Sequence, residues 1–254
     1  MSGLVRDFKI IGGLLIKYRG DEKDVIIPED VTRIIDEAFS NCPIESAAIP
    51  RSVTAIDECA FRGCAELREV ALSDRLRKIG GAAFSGCKKL GEIYLPDSLQ
   101  SIGISAFADC VSLCEIRFPA TLSVIEENAF SGCVSLGRAY LPEKITEICA
   151  HMFADCSSLE YVRIPERVTS IGTAAFQNCV LLDKVVLPSK IQEIGAMAFS
   201  GCRSLKKLAL PDGLKYIGDN AFSDCSALEQ INIPSTVEHI GKNAFSGCHL
   251  SEIV

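Results

Sequence analysis

Ten phenylalanines recur along the chain at a near-fixed spacing: Phe39, Phe61, Phe84, Phe107, Phe130, Phe153, Phe176, Phe199, Phe222 and Phe245. Every interval is 23 residues except the first, which is 22. Each Phe is followed three residues later by a cysteine, from Cys42 to Cys248. A period of this length marks a unit too small to bury its own apolar face. Such units stack, and their stability is close to a sum of nearest-neighbour terms. The period therefore decides the architecture before any other motif is read.

One unit shows how the stack is built. Leu159-Glu-Tyr-Val-Arg-Ile-Pro165 alternates, with Val162 and Ile164 on one side and Tyr161 and Arg163 on the other. That period of two predicts a short strand, half buried and half solvated. Pro165 ends it, because proline cannot donate to a sheet ladder. The middle part, Val168-x-x-Ile171-Gly172, adds two inward residues. The isoleucine is present in all ten units, but Ile35, Asp57, Glu126 and Cys149 stand where Gly172 does. A β-branched residue at positive φ would be an outlier. This glycine is therefore read as serving close packing. The last part, x-x-Ala-Phe-x-x-Cys, has the length of one helical or 3₁₀ turn. The residue before each repeat cysteine is always Gly, Asn or Asp, the types that best tolerate φ > 0. A left-handed residue is predicted there, closing the turn as a helix C-cap does.

Thirteen cysteines suggest a disulfide framework in a short secreted chain. Ten of them share one repeat position, which places them about 4.8 Å apart, one above the other. Inward-facing thiols in such a column behave as small hydrophobes, so a ladder of free thiols is expected. Cys110 and Cys114 lack two further ligands for zinc. Cys149 and His151 lie close in sequence, but Cys149 occupies the glycine position and His151 an outward one. No catalytic residue, metal or cofactor is read from the chain.

The net charge of −7 argues against nucleic acid or an anionic membrane as the main partner. No apolar run approaches the roughly 18 residues of a membrane span. The first residues, Met1 to Asp7, lack the apolar stretch of a signal peptide. An intracellular protein and one whose leader has been removed are both open readings.

The pattern Leu-x-x-Val-x-Ile-Pro-x-x-Val-x-x-Ile-Gly-x-x-Ala-Phe-x-x-Cys resembles the BspA-like class of leucine-rich repeats. The resemblance implies a curved leucine-rich-repeat solenoid, mainly β or α/β, with a concave parallel sheet. Members of this class are commonly surface proteins that bind host proteins or other cells, so the resemblance also implies a location at the cell surface. The chain is read as one domain. Residues 1–22 form an N-terminal hairpin cap about Gly12-Gly13, and residues 23–254 form about ten repeats. Its last strand is left uncapped at Val254 and open to self-association.

Function in such a stack belongs to outward positions. Six residues gather in mid-stack on the expected concave side: Tyr94, Arg117, Arg138, Tyr140, Tyr161 and Arg163. Tyr and Arg are enriched in binding hot spots. The six are read as one compact patch, flanked by Glu92 and Glu115 on one side and by Lys184 and Lys207 on the other. The expected function is a non-catalytic protein-binding scaffold or adhesin. The alternative is a carbohydrate-binding module whose tyrosine faces stack on sugar rings.

Overall fold

The computed structural model describes residues 7–253. Strands β1 (Phe8–Ile11) and β2 (Leu14–Tyr18) form an antiparallel hairpin. Its turn is Gly12-Gly13, with φ of 57° and 77°, the doubly positive turn whose twist matches that of paired strands. Each following coil contributes a three-residue strand and then a two-residue strand. The three-residue strands are β3 (Asp24–Ile26), β5 (Ser46–Ala48), β7 (Glu69–Ala71), β9 (Glu92–Tyr94), β11 (Glu115–Arg117), β13 (Arg138–Tyr140), β15 (Tyr161–Arg163), β17 (Lys184–Val186), β19 (Lys207–Ala209) and β21 (Gln230–Asn232). The two-residue strands are β4 (Arg33–Ile34), β6 (Ala55–Ile56), β8 (Lys78–Ile79), β10 (Ser101–Ile102), β12 (Val124–Ile125), β14 (Glu147–Ile148), β16 (Ser170–Ile171), β18 (Glu193–Ile194), β20 (Tyr216–Ile217) and β22 (His239–Ile240). A final strand, β23 (Glu252–Ile253), pairs with β21. Val254, the last of the expected outward positions, lies outside the described residues.

Pairing between coils is parallel and steps by one repeat, as in Tyr140 opposite Arg163 and Ile148 opposite Ile171. The stack thus has two strand faces and a third face of turns. The interior is one continuous column of Leu, Val, Ile, Phe and Cys side chains. The phenylalanine rings stack almost parallel, with centroids 4.7 Å apart at the start of the column and 5.7 Å at its widest step. Offset stacking at such distances adds roughly 0.5–1.5 kcal/mol per pair beyond burial. Tyr18 of the hairpin continues the column, its ring 5.2 Å from that of Phe39. The cap therefore supplies the missing lower neighbour of the first Phe.

The turn face departs from the expected helical or 3₁₀ turn: it contains no helix. Its amides alternate. In the first coil the N–H groups of Glu37, Phe39 and Asn41 donate upward to the carbonyls of Glu58, Ala60 and Arg62. Those of Ala38, Ser40 and Cys42 donate back three residues within the coil, to Ile35, Glu37 and Phe39. A helix would turn all six inward. Alternation needs a reversal of backbone handedness at two points, and both are found in every coil. One precedes the cysteine, as predicted, from Asn41 (φ 57°) to Gly247 (φ 77°). The other lies two residues before the Phe and is held by Glu37, Cys59, Ala82, Ser105, Asn128, His151, Ala174, Met197, Asn220 and Asn243.

The glycine after the repeat isoleucine serves close packing, as expected. A Cβ on Gly172 would come within 2.7 Å of Ala150 N, and one on Gly218 within 2.4 Å of Ala196 N. Asp57 fits this position in the shortened first interval, where its carboxylate takes a two-pronged ion pair from Arg33 (2.6 and 2.9 Å).

Outside Asn128, Asn220 and Asn243, the second left-handed site carries side chains whose presence costs about 1–2 kcal/mol where asparagine or glycine would be at ease. Glu37 is the clearest case, since it is exposed and its carboxylate holds no partner among the described residues. Glu37→Asn is expected to stabilise the chain by about 1 kcal/mol. A higher urea midpoint with an unchanged slope would show it.

Candidate functional site

The Phe-x-x-Cys spacing has a specific physical cause. Each Phe carbonyl from Phe39 to Phe222 accepts two hydrogen bonds. One comes from the amide of its own cysteine, as in Cys133 N–H to Phe130 O at 3.2 Å. The other comes from the thiol of the next coil, as in Cys156 Sγ to Phe130 O at 3.2 Å. The thiol bond repeats from Cys64, which bonds Phe39, to Cys248, which bonds Phe222. Both lone pairs of a buried carbonyl are thereby used. Burial raises the thiols from Cys64 to Cys202, with Cys64 pushed up to about 12, so they stay protonated and able to donate. The ladder cysteines belong to the frame of the stack.

The off-ladder cysteines differ. Cys114 is exposed at the edge of the three-residue face, while Cys59 and Cys149 are half-buried. Burial pushes Cys149 up to about 11, with Glu147 adding to the shift, the reverse of what activates a thiolate nucleophile. His151 sits in a turn at φ 54°. No three His, Cys, Asp or Glu side chains converge as a metal site among the described residues.

All six Tyr and Arg residues of the expected patch lie on the three-residue face. Arg138 faces Tyr161 across the ladder, and Tyr140 faces Arg163. The rings of Tyr140 and Tyr161 lie 5.6 Å apart at 51°. Arg117 faces Tyr94 on the neighbouring pair of strands. Local carboxylates hold three of the six. Arg117 Nε donates to Glu115 (2.9 Å), Arg163 Nη2 to Glu143 (3.0 Å) and Tyr94 OH to Glu92 (3.0 Å). The last of these raises the Tyr94 phenol. Arg138 takes part in none of the ion pairs among the described residues.

The strand ladder is interrupted within the patch, however. Strands β11 and β13 are not hydrogen-bonded to each other. Tyr94 and Arg117 therefore lie on one side of an opening, and Arg138, Tyr140, Tyr161 and Arg163 on the other. A cleft of about 690 Å³ occupies this opening, with Phe118, Ile116 and Gly137 among its walls. A second groove of about 700 Å³ continues from Arg138 and Tyr140 past Lys184 to Arg203 and Lys206.

The loss of pairing reaches the second strand face too. On the two-residue face the pairing also stops between β12 and β14. Glu126 N–H reaches Ile102 O and Gly172 N–H reaches Ile148 O, but no such bond joins Cys149 to Ile125. Ser123 and Thr169 likewise bond the coil before them, and Thr146 does not. Three-residue strands also lose pairing at β7–β9 and β17–β19, but there the other face stays intact. Only between the fifth and sixth coils do both strand faces lose ladder pairing, and on the three-residue face Gly137 N–H still reaches Cys114 O at 3.4 Å. The turn face holds the two halves together there, through Asn128, Phe130 and Gly132 donating to Ala150, Met152 and Ala154. Three features of the sequence coincide with this seam. Glu126 and Cys149 put side chains in the glycine position of two successive full-length coils. Phe118 stands where other coils have Ile or Leu. Ala139 stands where most have Val, Ile or Leu. The Phe118 ring meets Phe130 edge-on at 5.5 Å.

Comparison with known proteins agrees with this architecture. The family described as BspA type leucine rich repeat region (6 copies) matches residues 32–160 and again 146–254. The chain belongs to the BspA-type leucine-rich repeat family. Among solved structures it is similar to a leucine-rich repeat protein from Bacteroides ovatus, at 25% identity and a TM-score of 0.69 over 93% of this chain and 87% of that one. It is similar to the T. pallidum leucine-rich repeat protein at 29% identity and a TM-score of 0.52, over 76% and 82% of the two chains. A leucine-rich cell surface protein from Faecalibacterium prausnitzii matches at 27% identity and a TM-score of 0.50, over 94% and 89%. No curated protein matches the chain. No helix among the described residues is long and apolar enough to cross a membrane.

The burial pattern orders the thiols by reactivity. A water-soluble maleimide is expected to label Cys114 first in the folded protein. Cys64 to Cys225 are expected to react only after unfolding, as resolved by peptide mass spectrometry. Labelling of Cys133 or Cys156 at the rate of Cys114 would show that the ladder is open to solvent.

Proposed function

We propose that this chain is a non-catalytic protein-binding scaffold, working as an adhesin, that takes its ligand on the three-residue strand face around Tyr140. The observation that carries the reading is the contrast between frame and face. The Phe, Ile and Cys positions repeat with little change, while Tyr and Arg gather outward at mid-stack beside two grooves of that face. Tyr140 keeps 53% of its surface exposed and Tyr94 keeps 72%. Rigid, amphipathic side chains held this way make contact area at low entropic cost. A position at the cell surface is part of the same proposal. It draws on the F. prausnitzii relative, itself described as a cell surface protein. We also read the chain as one domain, the hairpin belonging to the stack through Tyr18 and the pairing of β2 with β4.

The carbohydrate alternative is less favoured. The Tyr140 and Tyr161 rings are tilted by 51°, so they do not form a flat platform for successive sugar rings. The double substitution Tyr140→Ala with Arg163→Ala is expected to abolish binding of the protein ligand by surface plasmon resonance. The unfolding midpoint should stay nearly unchanged, since both residues point outward. An affinity equal to that of the unsubstituted chain would refute the reading, and glycan-array binding lost in the same variant would favour the alternative.

A further inference from the structure

We propose that the seam between the fifth and sixth coils is the anchor point for an extended acidic peptide segment. An apolar side chain of that segment enters the cleft between β11 and β13, and its carboxylates run along the basic groove toward Lys206. This rests on the reading of the three-residue face as a protein-binding surface, and it names the chemistry of the partner.

Three observations converge on it. First, the cleft lies between the two coils at which both strand faces lose ladder pairing. Its floor includes Ile116 and Phe118, and its rim carries Arg138 and Tyr140. An apolar floor with a polar rim is the form of a side-chain pocket. Second, Arg138 and Tyr140 line both the cleft and the longer groove, so one occupant can fill both. Third, the charge of the face changes sign at the seam. The first outward strand position reads Glu69, Glu92 and Glu115 before it, and Arg138, Tyr161, Lys184 and Lys207 after it. In the groove Arg138, Lys184, Arg203 and Lys206 are all exposed. None of them joins the ion pairs found among the described residues. Glu160 and Asp183 line the same groove and reduce its positive charge without cancelling it. The groove crosses from the sixth coil to the ninth, about 14 Å at the strand spacing, which suits four to five extended residues. A chain with net charge −7 that keeps unpaired cations in one groove directs anionic segments to that groove.

Gly137 offers a clean way to close the cleft. A Cβ there would meet nothing within 4 Å, and the same is true of Gly91 two coils earlier, outside the cleft. Gly137→Leu therefore fills the cleft without straining the stack, and Gly91→Leu is its control. Fluorescence anisotropy with short labelled peptides provides the test. A peptide with a phenylalanine before a run of glutamates is expected to bind in a salt-dependent manner. Replacing its Phe by Gly, or its glutamates by lysines, should weaken binding about tenfold or more. Gly137→Leu, and separately Arg203→Glu with Lys206→Glu, should do the same, while Gly91→Leu leaves affinity unchanged. The proposal is overturned if the Phe-Glu peptide fails to bind, or if Gly137→Leu leaves its affinity intact. It is also overturned if a sulfated oligosaccharide occupies the groove in preference to the peptide. If the peptide fails while Tyr140→Ala with Arg163→Ala still abolishes binding of a protein ligand, the recognition face stands and the acidic-segment assignment falls.

Discussion

The structure depends on one contact above all, the doubly bonded phenylalanine carbonyl on the turn face. It joins a coil to itself through the cysteine amide and to the next coil through the cysteine thiol. Around it the backbone donates alternately within the coil and to its neighbour. This arrangement holds the Phe rings in one nearly parallel column and costs a left-handed residue at two points of every coil. The turn face is thus the spine of the solenoid. It is the one face that continues unbroken where both strand faces lose ladder pairing.

That hierarchy explains how a regular stack can host one irregular place. The strand faces can lose pairing between two coils because the spine does not rely on them. The interruption falls where Glu126 and Cys149 occupy the position that elsewhere leaves room for a neighbouring backbone, and where Phe118 and Ala139 change the volumes beneath the strands. It also falls inside the cluster of outward tyrosines and arginines. The proposed recognition site therefore coincides with an interruption of the frame, where Ile116 and Phe118 line a cleft.

Much of this was legible in the sequence, because it follows from residue types that repeat. Phe, Ile and Pro marked the core and the strand ends, and Gly, Asn or Asp before each cysteine marked a left-handed residue. The second left-handed site was not legible. Glu37, Ala82, His151 and Met197 have no preference for that conformation, and the inter-coil amide bonds impose it on them. The helical turn expected there failed for the same reason, since a local pattern does not show which amides leave the coil. The six outward residues of the candidate site were legible from alternation along the strands. Their division by a cleft was not. It arises from contacts between coils, at positions where the sequence shows only two missing glycines, one enlarged side chain and one reduced one.

The central claim is that the spine is continuous while the strand faces lose ladder pairing between the fifth and sixth coils. Amide hydrogen exchange resolved by NMR tests it most directly. The amides of Thr146 and Cys149 are expected to exchange much faster than those of Thr169 and Gly172 one coil later, and of Ser123 and Glu126 one coil earlier. Those of Phe130 and Gly132 should stay as protected as their counterparts elsewhere in the column. Equal protection of Thr146, Thr169, Cys149 and Gly172 would contradict the account.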